Sequence, residues 1–389
     1  MDRIRPLRNP IRHYDWGSRS ALARLQGRPT PSERPEAELW LGAHPSAPSQ
    51  VDLDGQQVPL DAWIARDSAR ALGERGTALH GGVLPFLLKV LAPQRALSIQ
   101  THPNAAQARR GFEREEHAGL AADDPRRCYR DARAKPELIC ALTRFEALCG
   151  LRPAAQVDEL LAAVDTRAAR ALRSAARAGG SAAALRALLD IDATGLAQTL
   201  AALARAGTPL GEPIARLAEQ YPGDPGALAP LLMQRVELAP GEALFLEAGE
   251  IHAYLGGLGV EVMGNSDNVL RCALTAKHVD ATELFATLHG REGTPRVLRP
   301  REGVYETPAR EFELAVLRVE GDAPLRRRGG RAQIWLCTQG RARLSTGDPA
   351  TDVDLARGQA AFVAAAIPHV DAHDVSGDAT TLFVAEAGA

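Results

Sequence analysis

LSIQTHP, residues 97–103, decides how the chain is read. Side chains alternate between the two faces of a strand, so Ser98, Gln100 and His102 share one side while Leu97, Ile99 and Thr101 take the other. A hydroxyl, an amide and an imidazole in line are odd tenants for an apolar core. The pattern recurs in three further runs. KPEL (135–138) puts Lys135 and Glu137 on one face, GEIHAYL (249–255) does the same with His252 and Tyr254, and NVLRCALT (268–275) aligns Arg271 with Val269 and Ala273. Each such group, buried without a partner, costs roughly 2–7 kcal/mol. A metal ion or a charged ligand would supply partners for all of them together. Gln100, His102, Glu137 and His252 offer two imidazoles, a carboxylate and an amide oxygen without sulfur. That donor set suits one zinc ion per chain with a position left open for water or substrate.

Outward from this run, LPFLLKVLAP (84–93) and RALSIQTHP (95–103) read as two strands with a short break, which predicts a hairpin. Residues 60–80 and 104–120 have helical spacing, and KPELICALTRFEALCGL (135–151) is strand-rich. Residues 154–220 are rich in Ala, Leu and Arg at three- and four-residue spacing, with glycine breaks at 179–180 and 207, and predict about four helices. After YPGDPG (221–226) the pattern returns to short strands with frequent turns, and residues 310–389 repeat that style. The fold class expected is mainly β with inserted helices, as two cupin-type jelly-roll units. Residues 1–153 and 223–300 would form the unit carrying the site, 154–222 the helical insertion, and 301–389 a second jelly roll. In that last unit His369 and His373 lack a carboxylate partner in a comparable motif, so it reads as structural. The other histidines, at 13, 44, 80, 117, 278 and 289, read as ordinary core or surface residues.

The 389 residues carry a formal net charge of −2 with no dense basic tract, which argues against a broad nucleic-acid footprint and leaves room for a small anionic ligand. No window approaches the ~20 apolar residues of a membrane span. Residues 1–17 lack the apolar stretch of a signal peptide, and the five cysteines lack CxxC spacing, so a cytoplasmic protein with reduced thiols is expected. Of 46 basic side chains only three are lysines, Lys89, Lys135 and Lys277. Arginine has replaced lysine nearly everywhere else. The survivors are candidates for places where a compact ammonium of adjustable pKa is needed, with chance survival as the alternative.

YDWGS (14–18), AELWLGAHP (37–45), LPFLLKVLAPQRALSIQTHPN (84–104), KPELICALTRFEALCGLRP (135–153) and GEALFLEAGEIHAYLGGLGVEVMGNSDNVLRCALTAKHVD (241–280) together resemble the type I phosphomannose isomerases. The blocks run in that family's order over nearly the whole chain, with residues 154–220 and 285–389 matching mainly in character. The resemblance implies a zinc enzyme interconverting mannose 6-phosphate and fructose 6-phosphate through an enediol. It places the zinc ligands on Gln100, His102, Glu137 and His252, the catalytic arginine on Arg271, and two pocket lysines on Lys135 and Lys277. Gly264, where the family usually has alanine, and Thr101, where valine is common, are modest departures. The proton carrier stays open among Lys135, Lys277, a zinc-bound water and Glu261. Lys89, Ser98 and Arg271 are candidates for the phosphate, Tyr254 and Glu261 for the sugar, and Trp16 and Glu38 for the pocket wall. A small sugar phosphate acted on by a monomer, without nucleic acid or membrane, completes the expectation. Three rivals compete with this reading. The first is a metal oxygenase of similar architecture, against which the amide ligand argues. The second is a non-catalytic sugar-phosphate sensor, which predicts loss of a ligand or of Arg271, and none is lost. The third is a bifunctional form joined to a nucleotidyltransferase, for which no glycine-rich nucleotide segment precedes the metal motifs.

Overall fold

A computed structural model describes residues 2–377 and 379–388. Among these residues the strands form sheets of eight, seven, five and four strands. The fold is mainly β with several helices. The seven-stranded sheet is the middle of the molecule. Its strands Phe86–Leu91 (FLLKVL), Glu137–Ala141 (ELICA) and Gly259–Gly264 (GVEVMG) are buried throughout. Near-continuous apolar runs of this kind belong to a sheet covered on both faces. One face, with Leu88, Val90, Leu138 and Val262, packs on Leu336, Phe362 and Phe383 of the eight-stranded sheet. The other face, with Ile139 and Leu244, packs on Phe145, Ala147 and Tyr254 of the five-stranded sheet.

Alternation then sorts the five-stranded sheet. Tyr254 points toward the seven-stranded sheet, while Ala253 and Leu255 point away, onto the helices that follow residue 153. Those helices are Ala154–Leu160, Arg167–Leu189, Ala193–Ala206 and Gly211–Gln220. The long one is interrupted where Gly180 takes φ +73°, a conformation glycine adopts without a Cβ penalty. Gly207, also left-handed, ends the next. On the far side, Trp335 and Val384 of the eight-stranded sheet meet Leu344 and Val370 of the four-stranded one. The order of layers is helices, five strands, seven, eight, four.

One expectation fails. Phe86–Leu91 pairs with Glu38–Gly42 and Gly259–Gly264, whereas Ile99–Thr101 pairs with His252–Gly256 and Leu270–Ala273. The predicted hairpin is instead a crossing between two facing sheets. Residues 60–80 form three short helices, because Asp67 caps a new start at Arg70 N and Gly73 (φ +83°) breaks the chain again. The N-terminal segment is also shared. Arg5–Arg8 lies between Ala360–Val363 and Gln50–Leu53 in the eight-stranded sheet, so residues read as part of the first unit complete the sheet built by the last residues.

Phe362 is fully buried between the two large sheets, its ring edge-on to Trp63 at 5.7 Å. Phe362→Ala is expected to cost about 3–5 kcal/mol in urea unfolding, the range for a truncated buried aromatic. Metal binding should be unchanged, because the candidate site lies on the opposite face of the seven-stranded sheet.

Candidate active site and metal centre

Between the five- and seven-stranded sheets opens a cleft of about 370 Å3. Its back wall is built by the strands flagged by alternation. The His102 Nδ1 lies 2.7 Å from the carbonyl oxygen of Asn268, and the His252 Nδ1 lies 3.1 Å from that of Glu250. A carbonyl only accepts, so each Nδ1 carries the proton and donates it, leaving each Nε2 with a lone pair. Those two Nε2 atoms each lie 3.3 Å from Glu137, one at Oε1 and one at Oε2. His102 Nε2, His252 Nε2 and Glu137 Oε2 are all buried without a hydrogen-bond partner among the described residues. Burial first, then the Lys135 ammonium, lowers the His102 pKa to about 4, so protonating the ring is not the remedy. Three lone-pair donors facing one another in a dry wall are what a cation resolves, and the donor set fits zinc. Gln100, half-buried in the cleft wall, sits opposite His252 on one neighbouring strand and opposite Arg271 on the other. Its Oε1 accepts from Ser98 Oγ at 3.2 Å.

The Lys135 ammonium is 3.1 Å from Glu137 Oε1. Burial alone would raise the Glu137 carboxyl; Lys135 and the two imidazoles overcome it and hold that pKa well below the usual range. Lys89 is buried with its Nζ 3.5 Å from Glu38 and 3.5 Å from Glu261, and 5.0 Å from the centre of the Trp40 ring. Burial pulls the Lys89 pKa down, but the two carboxylates more than reverse this and keep it charged. Glu261 also accepts from the Tyr254 hydroxyl at 3.0 Å. Its carboxyl is pushed up to about 7, by burial first and the Glu137 charge second, against the pull of Lys89 and Lys135.

Arg271 and Lys277 line the cleft and form no ion pair among the described residues. Burial lowers the pKa of each, and Arg130 lowers it further. Every sequence-flagged residue is thus in or directly behind one cleft, and all three lysines line it. Trp16 and Glu38 line it too. Trp40, Asp267 and Tyr221 went unread. Trp40 was findable, since it follows Glu38 by two in the same strand and its Nε1 donates to the Glu38 carboxylate. Tyr221 arrives from the end of the helical segment and carries no local signal.

Residues 4–154 match the family model for the catalytic domain of type I phosphomannose isomerase. The mannose-6-phosphate isomerase of Escherichia coli K12 is 37% identical over 388 residues, which span 93% of this chain and 95% of that protein. The Bos taurus enzyme of the same name is 33% identical, over 93% of this chain and 94% of its own length. Among solved structures, mannose 6-phosphate isomerase bound with zinc and yttrium superposes with a TM-score of 0.89 at 33% identity, covering 99% of this chain and 100% of that one. With sequence, architecture and cleft in agreement over nearly its whole length, the chain belongs to the type I phosphomannose isomerase family.

Proposed function

We propose that this chain interconverts mannose 6-phosphate and fructose 6-phosphate in a zinc-dependent reaction through an enediol. The observation that supports this reading most is the trio of unpartnered, inward-facing donor atoms in the wall of a cleft that also gathers every lysine of the chain. Gln100, His102, Glu137 and His252 would hold one zinc ion. When bound, zinc supplies Lewis-acid polarisation of the sugar oxygens at the reacting carbons.

The remaining steps fall to the chain itself. Arg271, across the sheet from Gln100, faces the negative charge that develops on the sugar oxygen as the enediol forms. Lys277, exposed at the mouth, and the Ser98 hydroxyl meet the phosphate, whose charge needs cations not already spent on carboxylates. Lys89 is spent in that sense, and we assign it to holding Glu38 and Glu261 in place. Lys135 keeps Glu137 ionised. The Glu261 carboxyl, near neutrality and bonded to Tyr254, takes the proton from one sugar carbon and returns it to the next, as a group of matched pKa does best. We further read the two pairs of packed sheets as cupin-type jelly rolls, and the chain as a cytoplasmic monomer.

A coupled assay of mannose 6-phosphate isomerisation tests the reading. Activity should fall to background after chelation and return in full at one zinc per chain. Undiminished turnover by the metal-free protein would overturn it.

A further inference from the structure

The segment Cys128–Ala134 belongs to no helix or strand, yet it leads directly into Lys135 and Glu137. Backbone groups in such a segment must find partners outside the regular ladders. Many of them end on one residue. Asn268 is fully buried, and its Oδ1 accepts from Arg130 N at 2.7 Å and Asp131 N at 3.1 Å. Its Nδ2 donates to Asp131 O at 2.8 Å and Arg133 O at 2.9 Å. Two donors on one side and two acceptors on the other fix which end of the amide is which. The main-chain carbonyl of the same residue receives the His102 Nδ1 proton at 2.7 Å. One buried side chain therefore clips the loop, and one peptide oxygen half a residue away orients a metal-binding imidazole.

We infer that Asn268 is a positioning residue that couples the metal ligands to the 128–134 loop, so that zinc binding and ordering of this loop reinforce each other. The inference rests on the zinc reading above. A metal on Nε2 locks the tautomer that donates from Nδ1 and strengthens that donor, which holds the Asn268 peptide in place. A held peptide keeps the amide aimed at Arg130 and Asp131. Coupling of this kind is reciprocal: whatever the metal contributes to the loop, the loop contributes to the metal. The same loop carries Arg130, exposed, its guanidinium donating to the Ala122 carbonyl at 3.1 Å.

Amide hydrogen exchange of the wild-type chain, metal-free and zinc-loaded, reads the coupling directly. The Arg130 and Asp131 amides should slow by about tenfold or more on zinc loading, the usual scale of coupling between linked sites. Amides in Arg341–Ser345 of the distant four-stranded sheet should not change. Asn268→Ala should release zinc to a chelator about 10–100-fold faster, as loss of a group behind a metal ligand does. It should also speed tryptic cleavage after Arg130 and Arg133. A wild-type chain that takes up no zinc overturns the functional reading and this one together. A chain that takes up zinc without slowing the two amides overturns this one alone. So does an Asn268→Ala protein that is less stable yet holds zinc as long as the wild type.

Discussion

Glu137→Gln should leave the protein without zinc and without isomerase activity, and should also weaken the metal-free fold. The first loss follows from position, because each carboxylate oxygen faces one histidine Nε2 at 3.3 Å and Glu137 is the one carboxylate grouped with these two imidazoles among the described residues. The second loss is less obvious. The same carboxylate is 3.1 Å from the buried Lys135 ammonium. Removing one partner of a buried pair leaves an uncompensated charge and costs about 3 kcal/mol or more. His252→Ala separates the two effects. It too should lose zinc, but Lys135 and Glu137 stay paired, so its metal-free form should unfold nearer the wild-type urea midpoint. Zinc per chain by atomic absorption, with urea titrations in chelator, measures both. Full zinc content in either variant would remove these residues from the ligand set.

Arg271→Ala is expected to show the opposite profile, with zinc retained and turnover lost. The guanidinium has no acidic partner among the described residues, so its removal strands no buried charge. It lines the cleft beside Gln100 rather than behind it. Loss of one donor aimed at a developing oxyanion costs about 100–1,000-fold in kcat. Arg271→Lys keeps the charge but not the planar fork, and should recover only part of that loss. A variant with normal zinc and a kcat within threefold of the wild type would move Arg271 out of the chemistry.

How far the sequence led can be judged residue by residue. Gln100, His102, Glu137 and His252 were legible because a two-residue period is local: a polar side chain on the apolar face of a strand declares itself within five residues. The helical segment was legible for a similar reason, its period and its glycine breaks both being short-range. The pairing of LPFLLKVLAP with its neighbours was not. A turn followed by a strand looks the same whether the chain folds back within a sheet or crosses to the facing one, and the difference is decided by residues 38–42 and 252–273, far away in sequence. Lys89 shows the same limit inside the site. Its rarity singled it out and it does line the cleft, but its partners Glu38 and Glu261 reach it from two other strands. Asn268, at the head of NVLRCALT, carries no local signal, because the meaning of an asparagine lies in which backbone groups surround it.

The seat of Arg5–Arg8, opposite Ala360–Val363, bears on how the molecule is made. These two strands lie far apart in the chain and are synthesised well separated in time. The eight-stranded sheet supplies the floor on which the seven-stranded sheet rests. That floor stays incomplete until Thr380–Ala387 has been made, so the apolar underside of the seven-stranded sheet waits uncovered long after its own strands exist. Closure over such a sequence separation is slow, and the waiting surface is prone to aggregate. Truncation that removes Ala360–Val363 and Thr380–Ala387 would therefore reach the candidate metal site without touching one of its residues, by leaving its supporting sheet half uncovered.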